Sequence, residues 1–231
     1  MLKKIFLTAA GVLTLCAGLW AGDTASFVDL GFSPDGGVYM FGQYGVQSGT
    51  LKPWADLFIV DVARNDFVAG GRISYTHDSP IAAGQDGSGA LYRLIAGNAG
   101  LAERCGVSFP NQGQPLYIAL DGEDSVSGET IEFRHFESGK SFRANLVSSS
   151  EGSGQYLRSS FYINLESVSD GGQRNTYTVG DISVKRQDIV SYHIKKVIID
   201  SREDSIVFVI EMRRRSEAGH DIRYMVETLR L

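Results

Sequence analysis

Three carboxylates fall within four residues at Asp121-Gly122-Glu123-Asp124, a density that hard cations such as calcium favour; with no complete calcium loop around it, the stretch reads first as a solvated turn. Arg213-Arg214-Arg215 could grip a phosphate or another anionic surface, or simply stand in water at a strand-to-strand turn. The four histidines, His77, His135, His193 and His220, lie far apart on expected strands or turns, so they spell no metal site in sequence. Cys105 is expected as a small buried hydrophobe, because no neighbouring histidine or lysine would lower its thiol pKa. A nucleophile elbow, a phosphate loop and a His-Glu-x-x-His helix are all missing. No catalytic residue, metal or cofactor is therefore assigned.

Aromatic and amide groups make the better binding candidates. A connection of about a dozen residues runs from Tyr44 to Pro53, beside Trp54, and is longer than most hairpin loops. Tyr44, Gln47 and Trp54 could anchor a partner, or pack down as the loop's own small core. With Arg213, Arg214 and Arg215 they complete the set of candidate binding residues.

These groups must be positioned by strands. Runs of Val, Ile, Tyr and Phe alternate with polar residues and break at Gly, Asp, Ser and Asn. They predict strands near 27–33, 37–43, 56–62, 71–76, 115–120, 130–136, 141–148, 156–168, 174–184, 192–200, 205–212 and 221–230. Tight turns such as Ser33-Pro34-Asp35-Gly36 and Asp170-Gly171-Gly172-Gln173 make the joined strands antiparallel neighbours. One segment departs from this period: Ala90, Leu91, Leu94, Ile95, Leu101 and Ala102 recur at helical steps. A helical insertion over about 86–105 follows, capped by Asp86 or Ser88 and ended by Gly106, to cover a sheet edge or end.

The chain of 231 residues opens with Lys3 and Lys4, an apolar run from Ile5 to Leu15, and small residues around Ala17, Gly18 and Ala21. Those are the zones of a secretory signal, too short for a membrane span, with cleavage expected after Ala21 and residues 22–231 as one mainly β domain. Leu13-Thr14-Leu15-Cys16 offers the alternative of a lipoprotein acylated at Cys16, held to the envelope by that anchor. Without residues 1–21 the chain keeps 20 basic against 27 acidic side chains, a formal net charge of −7. That balance argues against nucleic acid as a partner.

An internal repeat is visible. Val197 to Ile210 lies over Val28 to Gly42 as strand, acidic turn, strand, the second copy richer in apolar residues, and Phe58-Ile59-Val60-Asp61 matches Tyr224-Met225-Val226-Glu227. The Phe32-Ser33-Pro34-Asp35-Gly36 turn, followed by Asp56-Leu57-Phe58-Ile59-Val60-Asp61-Val62, resembles a blade of TolB-type β-propellers. That likeness implies propeller-like blades near both ends and protein or peptide partners at the face of a ring. The whole chain after the signal also resembles a family of bacterial predicted secreted proteins of unknown function. The residues that carry this likeness are Phe27 to Asp35, Gln43 to Gln47, Cys105-Gly106-Val107, Gly113 to Tyr117, Ser191 to Ile194, and Val207 to Glu211. This resemblance implies export and no activity. The expectation is an exported, periplasmic or secreted, non-enzymatic binding or structural protein with an envelope protein or peptide as partner. A hydrolase or carbohydrate-active enzyme on a β scaffold, with groups converging only in the fold, is the alternative.

Overall fold

The computed structural model describes residues 22–120, 130–217 and 219–231. Residues 1–21, where an export signal and Cys16 were expected, and the carboxylate-rich stretch at Asp121 to Asp124 lie outside the described residues.

The chain begins as an antiparallel meander of β1 (Ser26–Phe32), β2 (Val38–Val46), β3 (Pro53–Asp61) and β4 (Asp66–Thr76). Helices α1 (Gly89–Gly97) and α2 (Ala99–Arg104) follow, and then β5 (Gln114–Ile118). Next come β6 (Thr130–Arg134), β7 (Ser141–Glu151), β8 (Arg158–Val168), β9 (Arg174–Val179) and the short β10 (Arg186–Gln187), which form a separate sheet. The chain ends with β11 (Ile189–Ile199), β12 (Ser205–Ser216) and β13 (Gly219–Arg230), ordered β13-β12-β11-β5. All strand pairs within the three sheets are antiparallel.

Alternation of side chains decides how the sheets stack. On β12, Val207 and Val209 join Phe41, Phe58 and Val60 of the first sheet. Ile206, Phe208 and Ile210 point the other way, into Phe142, Leu146, Phe161 and Ile163 of the third sheet. The sheet carrying β12 is therefore the middle layer. Burial on both faces explains the unbroken run Ile206 to Ile210, and with it why the second copy of the repeat is the more apolar. The propeller ring that blade-like repeats suggest is not formed among the described residues, because the first and third sheets occupy opposite faces of the middle one.

The two copies of the repeat meet at their acidic turns. Asp200 is buried and accepts from the backbone N–H groups of Asp204 at 2.9 Å and Ser205 at 2.7 Å. In turn Ser205 Oγ donates to the carbonyl of Gly36 at 2.9 Å. Gly36, at φ +67°, passes so close that a Cβ there would lie 2.4 Å from Asp200 Oδ2. The exposed edge of β13 is closed by the first sheet and the residues before it: Ile222 N–H donates to the Asp23 carbonyl, Tyr224 N–H to Gln43 Oε1, and Thr228 N–H to Asn65 Oδ1. An edge so occupied cannot template another strand.

Two expectations change. β2 and β3 run further than their apolar cores suggested, so Tyr44 and Trp54 lie in strands and the loop between them shrinks to residues 47–52. Likewise Arg213, Arg214 and Arg215 sit within β12 and not in a turn, because β12 and β13 stay paired residue by residue to Ser216 and Gly219.

Candidate functional site

The outer face of the first sheet is apolar as well, with Leu30, Met40, Ala55, Leu57 and Ile59 all pointing away from the middle sheet. Helix α1 lies across it through Ala90, Leu91 and Leu94. Asp86 accepts from the N–H and hydroxyl of Ser88, the residue before α1, but neither side chain makes the expected cap bond to the helix. Gly42 leaves room for Leu91: a Cβ at that position would come within 2.5 Å of a Leu91 methyl. Asn98 breaks the helix between α1 and α2, its amide donating to the Leu94 carbonyl at 2.8 Å. Gly106, at φ +69°, then turns the chain after α2. The following loop is tied to the end of β1, Phe32 N–H donating to the Asn111 carbonyl at 2.8 Å and Asn111 Nδ2 to the Phe32 and Ser33 carbonyls.

Helices and loop leave part of this face uncovered, as an apolar groove of about 780 Å³. Its floor is Val28, Leu30, Met40 and Tyr44; its wall is Leu91, Tyr92, Ile95, Ala99 and Ala102; its end is Val107 and Phe109. Tyr92 and Phe109 stand at the rim, 69% and 60% exposed. Such a volume lies within the range of small-molecule sites.

Of the six candidate binding residues only Tyr44 enters this groove. Trp54 follows the opposite parity. It pairs with Gly45, Tyr44 with Ala55, so the two rings project from opposite faces of the sheet. Trp54 is 5% exposed, and the guanidinium of Arg223 lies 4.1 Å from its ring centre. Gln47 serves its own loop, accepting from Thr50 Oγ1 at 2.6 Å. The arginine triplet is divided by the strand: Arg213 and Arg215 take one face, Arg214 the other, and Arg213 Nε lies 3.5 Å from Glu211. No common anion grip results. The residues that sequence reasoning missed, Tyr92 and Phe109, carried one signal: a large aromatic off the helix's apolar stripe and another in the loop behind it.

Two arrangements could have supported enzyme chemistry. His135 is 2% exposed, with Nδ1 2.7 Å from Ser138 Oγ and 3.5 Å from Glu203, and Nε2 2.5 Å from Gln114 Oε1. Ser138 N–H also donates to Nδ1, so the ring accepts there and donates through Nε2 to the amide oxygen. Both nitrogens thus serve to fasten β5 to the β6–β7 turn, leaving neither for a substrate. The second is a concavity of about 660 Å³ beside the third sheet, which contains Glu132 and Glu166. Arg143 stands between these carboxylates in the strand register and is 3.3 Å from Glu132, while Arg174 binds Glu166. Each of the two carboxylates is thus already engaged by an arginine side chain. Among the described residues no three His, Cys, Asp or Glu groups come together to hold a metal.

Two carboxyl groups away from the groove are raised by burial despite a basic partner. Burial lifts the Glu227 carboxyl above the usual range, against the hydrogen bond from Asn65 and the charge of Arg186 at 3.3 Å. Burial does the same to Asp29, whose partner Lys196 lies 3.8 Å away.

These features define a mainly β protein of three stacked antiparallel sheets with a helical cover and a preformed apolar groove. The chain belongs to the DUF2259 family of predicted secreted proteins, matched over residues 40–230. No curated protein and no solved structure is significantly similar to it. Among the described residues no helix is long and apolar enough to cross a membrane.

Proposed function

We propose that this is an exported, non-enzymatic binding protein that holds an apolar ligand in the groove between the first sheet and the helical insertion. The groove itself carries the proposal: its walls are fixed by strand pairing and helix packing, and it keeps two large aromatics in water. Unpartnered apolar concavities mark ligand or partner sites. Membership of a family of predicted secreted proteins supports export, and the segment Lys3 to Ala21 would supply the signal. Periplasmic or extracellular release is the expected fate; acylation at Cys16 would instead keep the binding domain at the envelope, and the intact mass of the exported protein separates the two.

The test is titration of the purified protein with the apolar fluorophore N-phenyl-1-naphthylamine. Saturable one-to-one binding is expected. Tyr92→Ala and Phe109→Ala should each weaken it about fivefold to thirtyfold, as for truncated aromatic anchors, and Ala102→Trp should fill the groove and abolish it. Binding that survives Ala102→Trp in a normally folded variant would locate the ligand elsewhere and overturn the proposal.

A further inference from the structure

The groove is chemically one-sided. Among its lining residues there is no lysine, arginine or histidine, and the two acidic groups are Asp86 and Glu103. They bracket the helical wall, Asp86 just before α1 and Glu103 in the last turn of α2. Both are exposed, so a ligand can reach them from the mouth. The Ser88 hydroxyl and N–H hold the Asp86 carboxyl below the usual range and so keep it ionised. The basic side chain of α1 is directed elsewhere: the Arg93 guanidinium lies over the ring of Tyr75, 5.0 Å from its centre, which is not a lining residue. The exposed rings of Tyr92 and Phe109 add two faces of negative quadrupole at the same rim. An apolar body entering this groove therefore meets negative charge where its polar end emerges beside Asp86 or Glu103.

Building on the groove-binding proposal, we infer that the ligand is a small cationic amphiphile, an apolar chain or ring system ending in an ammonium or guanidinium group. A cation gains attraction from both carboxylates and both rings, a neutral head gains none of the charge term, and an anion is repelled. The volume of the groove, about 780 Å³, fits a small molecule better than a peptide helix of several turns, which is about 10 Å across before its length is counted.

Three dodecyl probes with one tail and different heads make the test: dodecyltrimethylammonium, dodecyl maltoside and dodecyl sulfate, each titrated calorimetrically below its micelle concentration. At about 20 mM salt the cation should bind about threefold to tenfold more tightly than the maltoside, and the sulfate more weakly than either, the differences shrinking at about 300 mM salt. Glu103→Gln should reduce the preference of the cation over the maltoside while leaving thermal unfolding unchanged; Asp86→Asn, which keeps an oxygen for Ser88, should reduce it further. Equal affinity for all three heads would overturn the charge inference and leave the groove-binding proposal standing. Binding of none would remove the groove-binding proposal itself. Capture of a cationic amphipathic peptide without binding of the dodecyl cation would overturn the ligand class.

Discussion

The two outer faces of the stack are built from the same antiparallel pairing and behave in opposite ways. On the third sheet two neighbouring outward rows are polar across the strands, Thr130, Asn145, Asn164 and Thr178 in one, Glu132, Arg143, Glu166 and Thr176 in the next, with Val147 opposite Tyr162 in the row beyond. That face needs only water. On the first sheet the outward positions are Val28, Leu30, Met40, Leu57 and Ile59, and a helix pair lies over them. The difference is one of side-chain identity at alternate positions, and it determines whether a sheet face must be covered. An antiparallel sheet with two apolar faces needs a second layer on each, and the helical insertion is that layer. Because the insertion is short and bent at Asn98, it covers the face incompletely, and the groove is the uncovered remainder.

If the cover is structural, removing it should have the largest effect of any change to either face. Replacing residues 86–105 by a short Gly-Ser linker would expose Leu30, Met40, Leu57 and Ile59 together. At roughly 25 cal/mol per Å² of apolar surface, a helix footprint of a few hundred Å² approaches the whole stability of a domain. The expected product is insoluble, or soluble without cooperative unfolding. A monomer with a sharp thermal transition would show that the first sheet tolerates water and that the contrast between the faces is superficial.

Single residues sharpen the same contrast. Leu91→Ala should cost about 2–5 kcal/mol in urea unfolding, as for other buried leucines. Gly42→Ala should cost about 1–3 kcal/mol by overpacking, since the new methyl meets the Leu91 side chain. In the double variant the smaller alanine at 91 makes room for the one at 42, so the two costs should sum to more than the measured loss. Strict additivity would mean that Leu91 does not sit over Gly42.

Between the sheets lies a buried carboxyl, and pH probes it. Glu227 of β13 faces Arg186 of β10, and burial raises its pKa above the ordinary value of 4.5. The folded protein therefore keeps this proton to higher pH than the unfolded chain does. Stability from this group is complete below the ordinary value and is lost as pH rises through the folded one. Relative to wild type, Glu227→Gln should remove this decline, so the stability difference, wild type minus variant, should fall as pH rises from about 4.5. A difference that stays flat or grows would place Glu227 ionised in the fold, held by Arg186.

The strands, turns and helical stripe were legible in the sequence. Period-two runs and the Ser33-Pro34-Asp35-Gly36 turn are local signals, and each predicted strand has a counterpart in the fold, with β10 as an addition. The helix stripe at Ala90, Leu91 and Leu94 matched its buried side. Parity and partners were less accessible. Tyr44 and Trp54 look equivalent as aromatics flanking a loop, yet the pairing of Gly45 with Trp54 sends them to opposite faces, and a shift of one residue would have exchanged them. The run Ile206 to Ile210 announces burial on both sides without saying which sheet lies on which. The groove is harder still, since it depends on what α1 and α2 fail to cover.

The smallest expected effect is the one that most directly tests the polar face. Glu132 and Arg143 stand opposite each other on β6 and β7, 3.3 Å apart and both largely exposed. An exposed pair of this kind gains little, because water screens it and two long side chains must be ordered to make it. Glu132→Gln should therefore change unfolding stability by less than about 0.5 kcal/mol, with the remaining difference fading in high salt. Asn164→Ala, in the centre of the same face, should stay within about 0.5 kcal/mol as an ordinary surface substitution. A loss of more than about 1 kcal/mol from either would mean that the polar rows are a coupled network that helps to hold the third sheet together. In that event the two outer faces would differ in how they are stabilised, and water alone would not be a sufficient cover for the polar one.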